Sequence, residues 1–394
     1  MPSKRFAWPL MSNNVTRDDL DSIIKYLSSD DPRLTNGPAV ESFEDAWSKW
    51  LGVDHTVMVN SGSSANDVSM LALRYLRGNG QVIVPPLTWV SDIASVLHAG
   101  LEPVFVDIEL ATLAPSAENI SAHVTNETRA VFLTHVLGIN AITEQHRNLF
   151  DSSDDFALIE DVSESHGAMA QERLAGSLGW LSNFSFYYAH HMTTMEGGAI
   201  CTSDPAAYET LRMLRSHGLV REIKNDLLRS KLIDSHPDLN SDFIFRYAGH
   251  NMRPIEIQGI LGLAQLKHLD ERNKSRKRNF ELFLRGLDES RFLTELALQG
   301  QCNYAFILIL REKNLAMRDR IESTLHTQGV EFRRGLSGGG NQLRQPYLKE
   351  AGFRFSLDKF PNVEHVHHFA WYIGNYPEIS TEQIHWLCEL LNTI

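Results

Sequence analysis

Phe184–Ile200 reads FSFYYAHHMTTMEGGAI. Ser182–Tyr187 is an apolar, aromatic run of strand length, and Ala199–Thr202 is a second. Between them stand two adjacent histidines, His190 and His191, and the Gly197-Gly198 pair. Moving upstream, short apolar strands alternate with amphipathic helices. Strand Thr56–Val59 precedes helix Ala65–Leu76, strand Val82–Val84 precedes helix Ser91–His98, and strands follow at Val104–Val106, Ala130–Thr134 and Ala157–Ile159. Two further helices, Thr16–Tyr26 and Val40–Leu51, come before this run, and Ala206–Arg215 follows it. Such alternation predicts an α/β fold with a mostly parallel sheet covered on both faces. A long helix from Pro254 to Asp270 runs into the charged stretch ERNKSRKRNF. Beyond it, strands at Ala305–Leu310 and Val330–Arg333 flank a helix at Leu315–Gln328. The expected division is a large domain over residues 15–271 and a smaller α+β domain over 272–394, with residues 1–14 packed near the smaller one.

Composition narrows the class. The 394 residues are 43% hydrophobic and 22% charged, ordinary for a globular chain with a large core. A net charge of −12 disfavours nucleic acid and anionic membrane as partners. No apolar run reaches transmembrane length, and the opening MPSKRFAWPLMSNN lacks the apolar core of a signal peptide, so a cytoplasmic protein is expected. Cys201, Cys302 and Cys388 are too few and too scattered for a disulfide framework or an iron–sulfur cluster.

Several residues suggest chemistry. Gly62-Ser63-Ser64 sits between a strand and a helix, where backbone N–H groups and hydroxyls suit a phosphate; a plain helix cap is the competing account. Asp161 ends the strand ALIED beside Glu160, as a functional carboxylate or as a cap. His190 and His191 are packed residues, metal ligands or proton carriers. Zinc is disfavoured because no Cys/His/acid set at ligand spacing surrounds them, whereas an imidazole suits proton transfer near neutrality. The arginines of Arg215–Arg221 and Arg253 fit a carboxylate clamp or an ordinary surface.

Taken in order, VNSGSSAN (Val59–Asn66), PPLTWV (Pro85–Val90), IEDVSESHG (Ile159–Gly167), the FSF…EGG segment and GHNMRPIE (Gly249–Glu256) resemble the cofactor site of the DegT/StrS family of vitamin-B6-dependent sugar aminotransferases. The resemblance extends from Trp8-Pro9-Leu10 to Tyr372–Asn375. It implies the fold-type I aminotransferase architecture, a homodimer with shared active sites, and pyridoxal 5′-phosphate (PLP) or pyridoxamine 5′-phosphate (PMP) as cofactor. In the family a lysine after the FSF strand holds PLP as a Schiff base. Here that slot holds His190, so the cofactor is expected to be bound without a covalent link. The resemblance further implies Gly62, Ser63, Ser64 and Ser185 at the phosphate, with Asn251 reaching the phosphate of the neighbouring subunit. Trp89 would stack on the ring, Asp161 pair with its nitrogen and Glu164 touch its 3-hydroxyl. His217, Arg221 and Arg253 would bind substrate, His191 would support, and His190 would be the base.

The HHMTTMEGG and GHNMRPIE blocks most resemble the family's dehydratase branch acting on GDP-4-keto-6-deoxymannose. The implied activity is removal of the C3 hydroxyl from a nucleotide-linked 4-keto-6-deoxy sugar, with PMP regenerated from glutamate. An aminotransferase and a catalytically silent PLP-binding or regulatory protein are the alternatives. His250 departs from the family's usual tyrosine, and Arg333–Tyr347 matches only loosely, leaving the nucleotide and the sugar open.

Overall fold

The structure is a computed structural model and describes residues 7–394; the expectation for residues 1–6 lies outside the described residues. The chain opens with helices α1 (Arg17–Leu27) and α2 (Pro38–Leu51). Thr16 caps α1 through a reciprocal pair with Asp19, whose carboxylate accepts the Thr16 N–H at 2.7 Å. The alternation then unfolds as expected: β1 (His55–Val59), α3 (Gly62–Arg77), β2 (Gln81–Val84), α4 (Val90–His98), β3 (Glu102–Phe105), β4 (Thr128–Thr134), β5 (Ala157–Asp161), β6 (Leu181–Ser185), β7 (Gly198–Thr202) and α5 (Pro205–Arg215).

These strands form one seven-stranded sheet in the order β1-β7-β6-β5-β4-β2-β3. Only β7 runs against its neighbours, pairing antiparallel with both β1 and β6. The strands alternate cleanly between two apolar layers. Val57 and Val59 of β1 join the core of α3 and α4, while Met58 joins that of α2 and the long helix α6 (Glu256–Gly286). One buried ion pair ties these layers together. Arg215 Nη1 lies 2.7 Å from Glu44 Oε1 and donates to the Met58 carbonyl at 3.0 Å, and Glu44 accepts the Met58 N–H at 2.7 Å.

Residue 272 falls inside α6, which runs unbroken for 31 residues. Beyond it, β8 (Ala305–Ile309), β9 (Phe332–Arg334) and β10 (Ala370–Gly374) form a three-stranded antiparallel sheet with β10 in the centre. Trp8 bridges to Val330 of this part, and its indole N–H donates to the Gly374 carbonyl at 3.0 Å.

Two local boundaries differ from the sequence reading, and both bear on the site. Helix α3 starts at Gly62, not Ala65, because Ser61 serves as its cap and accepts the Ser64 N–H at 3.1 Å. Gly62 and Ser63 are therefore its first turn. Strand β6 stops at Ser185, because Tyr187 and Tyr188 turn outward to solvent. His190 thus sits in the irregular return between β6 and β7.

Candidate active site

Parallel register places Thr134 of β4 beside Asp161 of β5, so the carboxyl ends of the central strands share one edge. The N-termini of α3 and α4 reach the same edge. In open parallel sheets this crevice is where ligands bind. Here it is a cavity of about 520 Å³, walled by Gly62, Ser63, Trp89, Asp161, Glu164, Ser185 and His190 among others. Seven of the expected residues, from four separate segments, therefore converge.

The cavity floor has a phosphate-sized cradle. A Cβ on Gly62 would lie 2.5 Å from the Ser185 Cβ, so α3 and the end of β6 approach as closely as glycine allows. The first-turn N–H groups of Gly62 and Ser63 have no helical acceptor, and the Ser63 and Ser185 side chains line the same wall. Ser64 is different. Its hydroxyl donates to Asn60 Oδ1 at 2.6 Å, and it does not line the cavity.

The two acids of ALIED part company because strand side chains alternate. Glu160 is buried and accepts N–H bonds from Gly176, Leu178 and Gly179 at 2.7–3.0 Å. Asp161 faces the cavity, its Oδ1 accepting only the Ser163 N–H at 2.8 Å, which leaves acceptor capacity free. Glu164 accepts the Leu137 N–H at 3.1 Å, and burial together with the nearby Asp161 raises its pKa to about 7. Trp89 stands 52% exposed at the rim, as a ring waiting for a flat partner would.

His190 opens onto the cavity, with Nδ1 3.1 Å from the Ser185 carbonyl. That contact requires a proton on Nδ1 and leaves Nε2 as the free acceptor. Burial lowers the ring's pKa to about 4, so it is neutral near pH 7. Behind it lie His166 and His191, their rings stacked 5.4 Å apart, and burial holds both far below the ordinary histidine value. His191 bonds the Cys302 carbonyl at 2.9 Å and faces away from the cavity.

Besides Ser64 and His191, four expected residues lie outside the chain's own cavity. His217 is exposed at a positive φ of 63°. Asn251 is also exposed, its Oδ1 accepting the Arg253 N–H at 3.3 Å. Arg221 and Arg253 line a separate polar depression with Arg33, next to the start of α2.

The C-terminal part completes the cavity with residues to which the sequence reading gave no individual role, two of them in the loosely matching Arg333–Tyr347 segment. Tyr304, Glu331, Arg333, Ser337 and Tyr372 form that wall, and Ser337 donates to Glu164 at 3.3 Å. Glycine-rich SGGGN (Ser337–Asn341) is held against the loop before Trp89. Gln342 donates its N–H to the Pro86 carbonyl at 3.0 Å, and Leu87 bridges Asn341. Tyr304 and Tyr372 carry no local signal of a site: Tyr304 directly precedes β8 and Tyr372 lies within β10.

The cavity fits PLP or PMP: a tight N–H and hydroxyl cradle, a free carboxylate and an exposed aromatic surround one space. No lysine lines it among the described residues. Comparison with known proteins agrees. The sequence profile of the DegT/DnrJ/EryC1/StrS aminotransferase family matches residues 14–392. GDP-4-keto-6-deoxy-D-mannose 3-dehydratase of Escherichia coli O55:H7 is 30% identical over 393 residues, covering 98% of this chain and 99% of the relative. dTDP-4-dehydro-2,6-dideoxy-D-glucose 3-dehydratase of Saccharopolyspora spinosa is 27% identical, covering 97% and 85%. A crystal structure of GDP-4-keto-6-deoxymannose-3-dehydratase with a trapped PLP-glutamate geminal diamine superposes with a TM-score of 0.84 at 28% identity, covering 98% of this chain and 100% of that one. With its fold-type I sheet and B6-shaped cavity, the chain belongs to the DegT/DnrJ/EryC1/StrS aminotransferase family.

Proposed function

We propose that this chain is a PMP-dependent 3-dehydratase of a nucleotide-linked 4-keto-6-deoxy sugar. The observation that carries the reading is a neutral histidine, His190, at the family's lysine position, with its free nitrogen available to the cavity. An imidazole cannot hold PLP covalently, yet it can take and return protons.

When bound, the cofactor supplies an electron sink beside the reacting carbons. Gly62, Ser63 and Ser185 would hold its phosphate, Trp89 would cover its ring, and Asp161 would keep its ring nitrogen protonated. Glu164, poised to titrate near pH 7, would sit at the ring hydroxyl. His190 would accept a proton at the cofactor's exocyclic carbon and return one to the departing C3 hydroxyl. With no competing lysine amine, the sugar leaves without retaining nitrogen. The overall exchange balances: the sugar loses one oxygen, and glutamate gains one while becoming 2-oxoglutarate and ammonia.

The working unit in this reading is a cytoplasmic homodimer. Leu34, Leu227, Leu239, Phe243, Phe245 and Ile255 are all exposed, and the helix Asp226–Asp234 buries none of its residues. A second copy seated there would cover this apolar surface and bring Asn251, His217, Arg221 and Arg253 toward the partner's cavity.

The test is product analysis. The protein is supplied with PLP, glutamate and a panel of GDP-, CDP-, UDP- and dTDP-4-keto-6-deoxy sugars. The expected products are ammonia, 2-oxoglutarate and a sugar nucleotide one oxygen lighter. A retained amino sugar would identify an aminotransferase, and no conversion of glutamate would identify a silent cofactor-binding protein.

A further inference from the structure

Asp92 lies in the first turn of α4, directly behind the cavity, and is 1% exposed. Its Oδ1 accepts the Asn66 amide at 2.7 Å. Its Oδ2 belongs to a triangle of oxygens. Thr134 Oγ1 lies 2.9 Å from Oδ2 and 2.5 Å from Thr88 Oγ1, and Thr88 Oγ1 also meets Oδ2. The carboxyl of Asp161 is within hydrogen-bonding reach as well. Four oxygen–oxygen contacts thus have two hydroxyl protons between them, and a hydroxyl donates only once. Two of the four contacts therefore lack a hydroxyl proton, and a carboxyl proton is the remaining source.

The groups facing Asp92 confirm the deficit. Asn66 comes from α3, Thr88 from the preceding loop, Thr134 from β4 and Asp161 from β5. None is cationic. Tyr347, from the C-terminal part, is itself neutral, because burial pushes its phenol above the ordinary tyrosine value. Two buried carboxylates side by side without a cation cannot both stay ionised. Burial and Asp161 push Asp92 well above the usual carboxylate range.

We propose that Asp92 is a neutral carboxylic acid that donates toward Asp161 and positions it for the ring nitrogen. The role of Asp161 at the cofactor rests on the function proposed above; the proton on Asp92 does not. A neutral donor behind Asp161 fixes the carboxylate's rotation and leaves its single charge for the ring. It also explains why a second acid can stand so close without cancelling the first acid's purpose.

Infrared difference spectra of the wild type against Asp92→Asn, on cofactor-free protein near pH 7, read the proton directly. The expected result is loss of a protonated-carboxyl carbonyl band in the variant. Loss of carboxylate bands instead would overturn the proposal. PLP affinity supplies a second reading. Asp92→Asn, which imitates the neutral acid, should bind PLP as the wild type does, with an unchanged pH dependence. Asp92→Leu, with no donor, should bind about 10- to 100-fold more weakly while still folding by circular dichroism. Equal weakening in both variants would mean that Asp92 acts as an anion and would overturn the idea. Should Asp92→Leu not fold, the asparagine variant and the infrared band still decide. Failure of the wild type to bind PLP would overturn the function proposed above, and the band would still locate the proton.

Discussion

Replacing His190 by asparagine should make the cofactor-free protein less sensitive to acid. Asparagine keeps a donor for the Ser185 carbonyl but does not titrate. In the wild type the folded pKa is about 4, because burial opposes the charged ring. An unfolded histidine titrates near 6.5. Between these values the unfolded state binds the extra proton, so stability falls as pH drops through this window and is fully retained above it. The separation of about 2.5 units, at 1.36 kcal/mol each, sets a ceiling of about 3.4 kcal/mol, of which about 2 kcal/mol is already expressed at pH 5. The assay is urea unfolding of both proteins near pH 8 and pH 5, with cofactor removed because its binding adds a linkage of its own. The wild-type minus variant stability should fall by about 2 kcal/mol between the two conditions. Taking this double difference cancels the other titrating groups. A pH-independent difference, or one that rises toward acid, would show that the ring is not held neutral by burial and would remove the basis for treating it as a ready base.

In the loaded enzyme, the same His190→Asn change should leave PLP bound but slow water loss from the sugar by about 10²–10⁴-fold, measured by product formation with externally supplied PMP. Borohydride treatment of wild-type protein with PLP should leave no pyridoxyl adduct by mass spectrometry, whereas His190→Lys should trap one. Gly62→Ala forces a Cβ to within 2.5 Å of Ser185. It should cost about 1–3 kcal/mol by denaturant unfolding and weaken PLP binding in a fluorescence titration. Arg215→Met would strand the buried Glu44 carboxylate, and about 3–5 kcal/mol of stability should disappear, with partial recovery when Glu44→Gln is added.

The strands and helices of the large sheet were legible because each carries its own signal. Apolar runs of four or five residues are bounded by turns, and α1 and α2 show clear apolar faces. The cofactor wall was legible through motif order, since Gly62, Asp161, Ser185 and His190 each close a recognisable segment. What stayed hidden depends on distant chain segments meeting. Tyr304 and Tyr372 show no sign of a site until the start of β8 and the middle of β10 come to the cavity beside His190. Asp92 reads as a helix-start acid, a usual surface position, and only the arrival of Thr134 and Asn66 from other elements buries it. The start of α3 was misjudged because serines suit both a cap and a first turn, and only the Ser61–Ser64 bond decides between them. His217, Arg221, Asn251 and Arg253 were recognisable as a group, but they lie away from the chain's own cavity, and in the function proposed above a second copy gives them their place.

Helix α6 acts as a stiff strut. Its 31 residues span about 46 Å, with no proline to bend it. Its middle is fastened on both sides: Asn273 donates to the His166 carbonyl at 2.9 Å, three residues before Arg276 donates to the Tyr304 carbonyl at 3.2 Å. A clamshell motion about residue 272 would have to snap this rod and tear both fastenings. Whatever adjustment a bulky ligand demands at the cavity therefore falls to parts of the chain other than this rod, on a chassis that stays rigid.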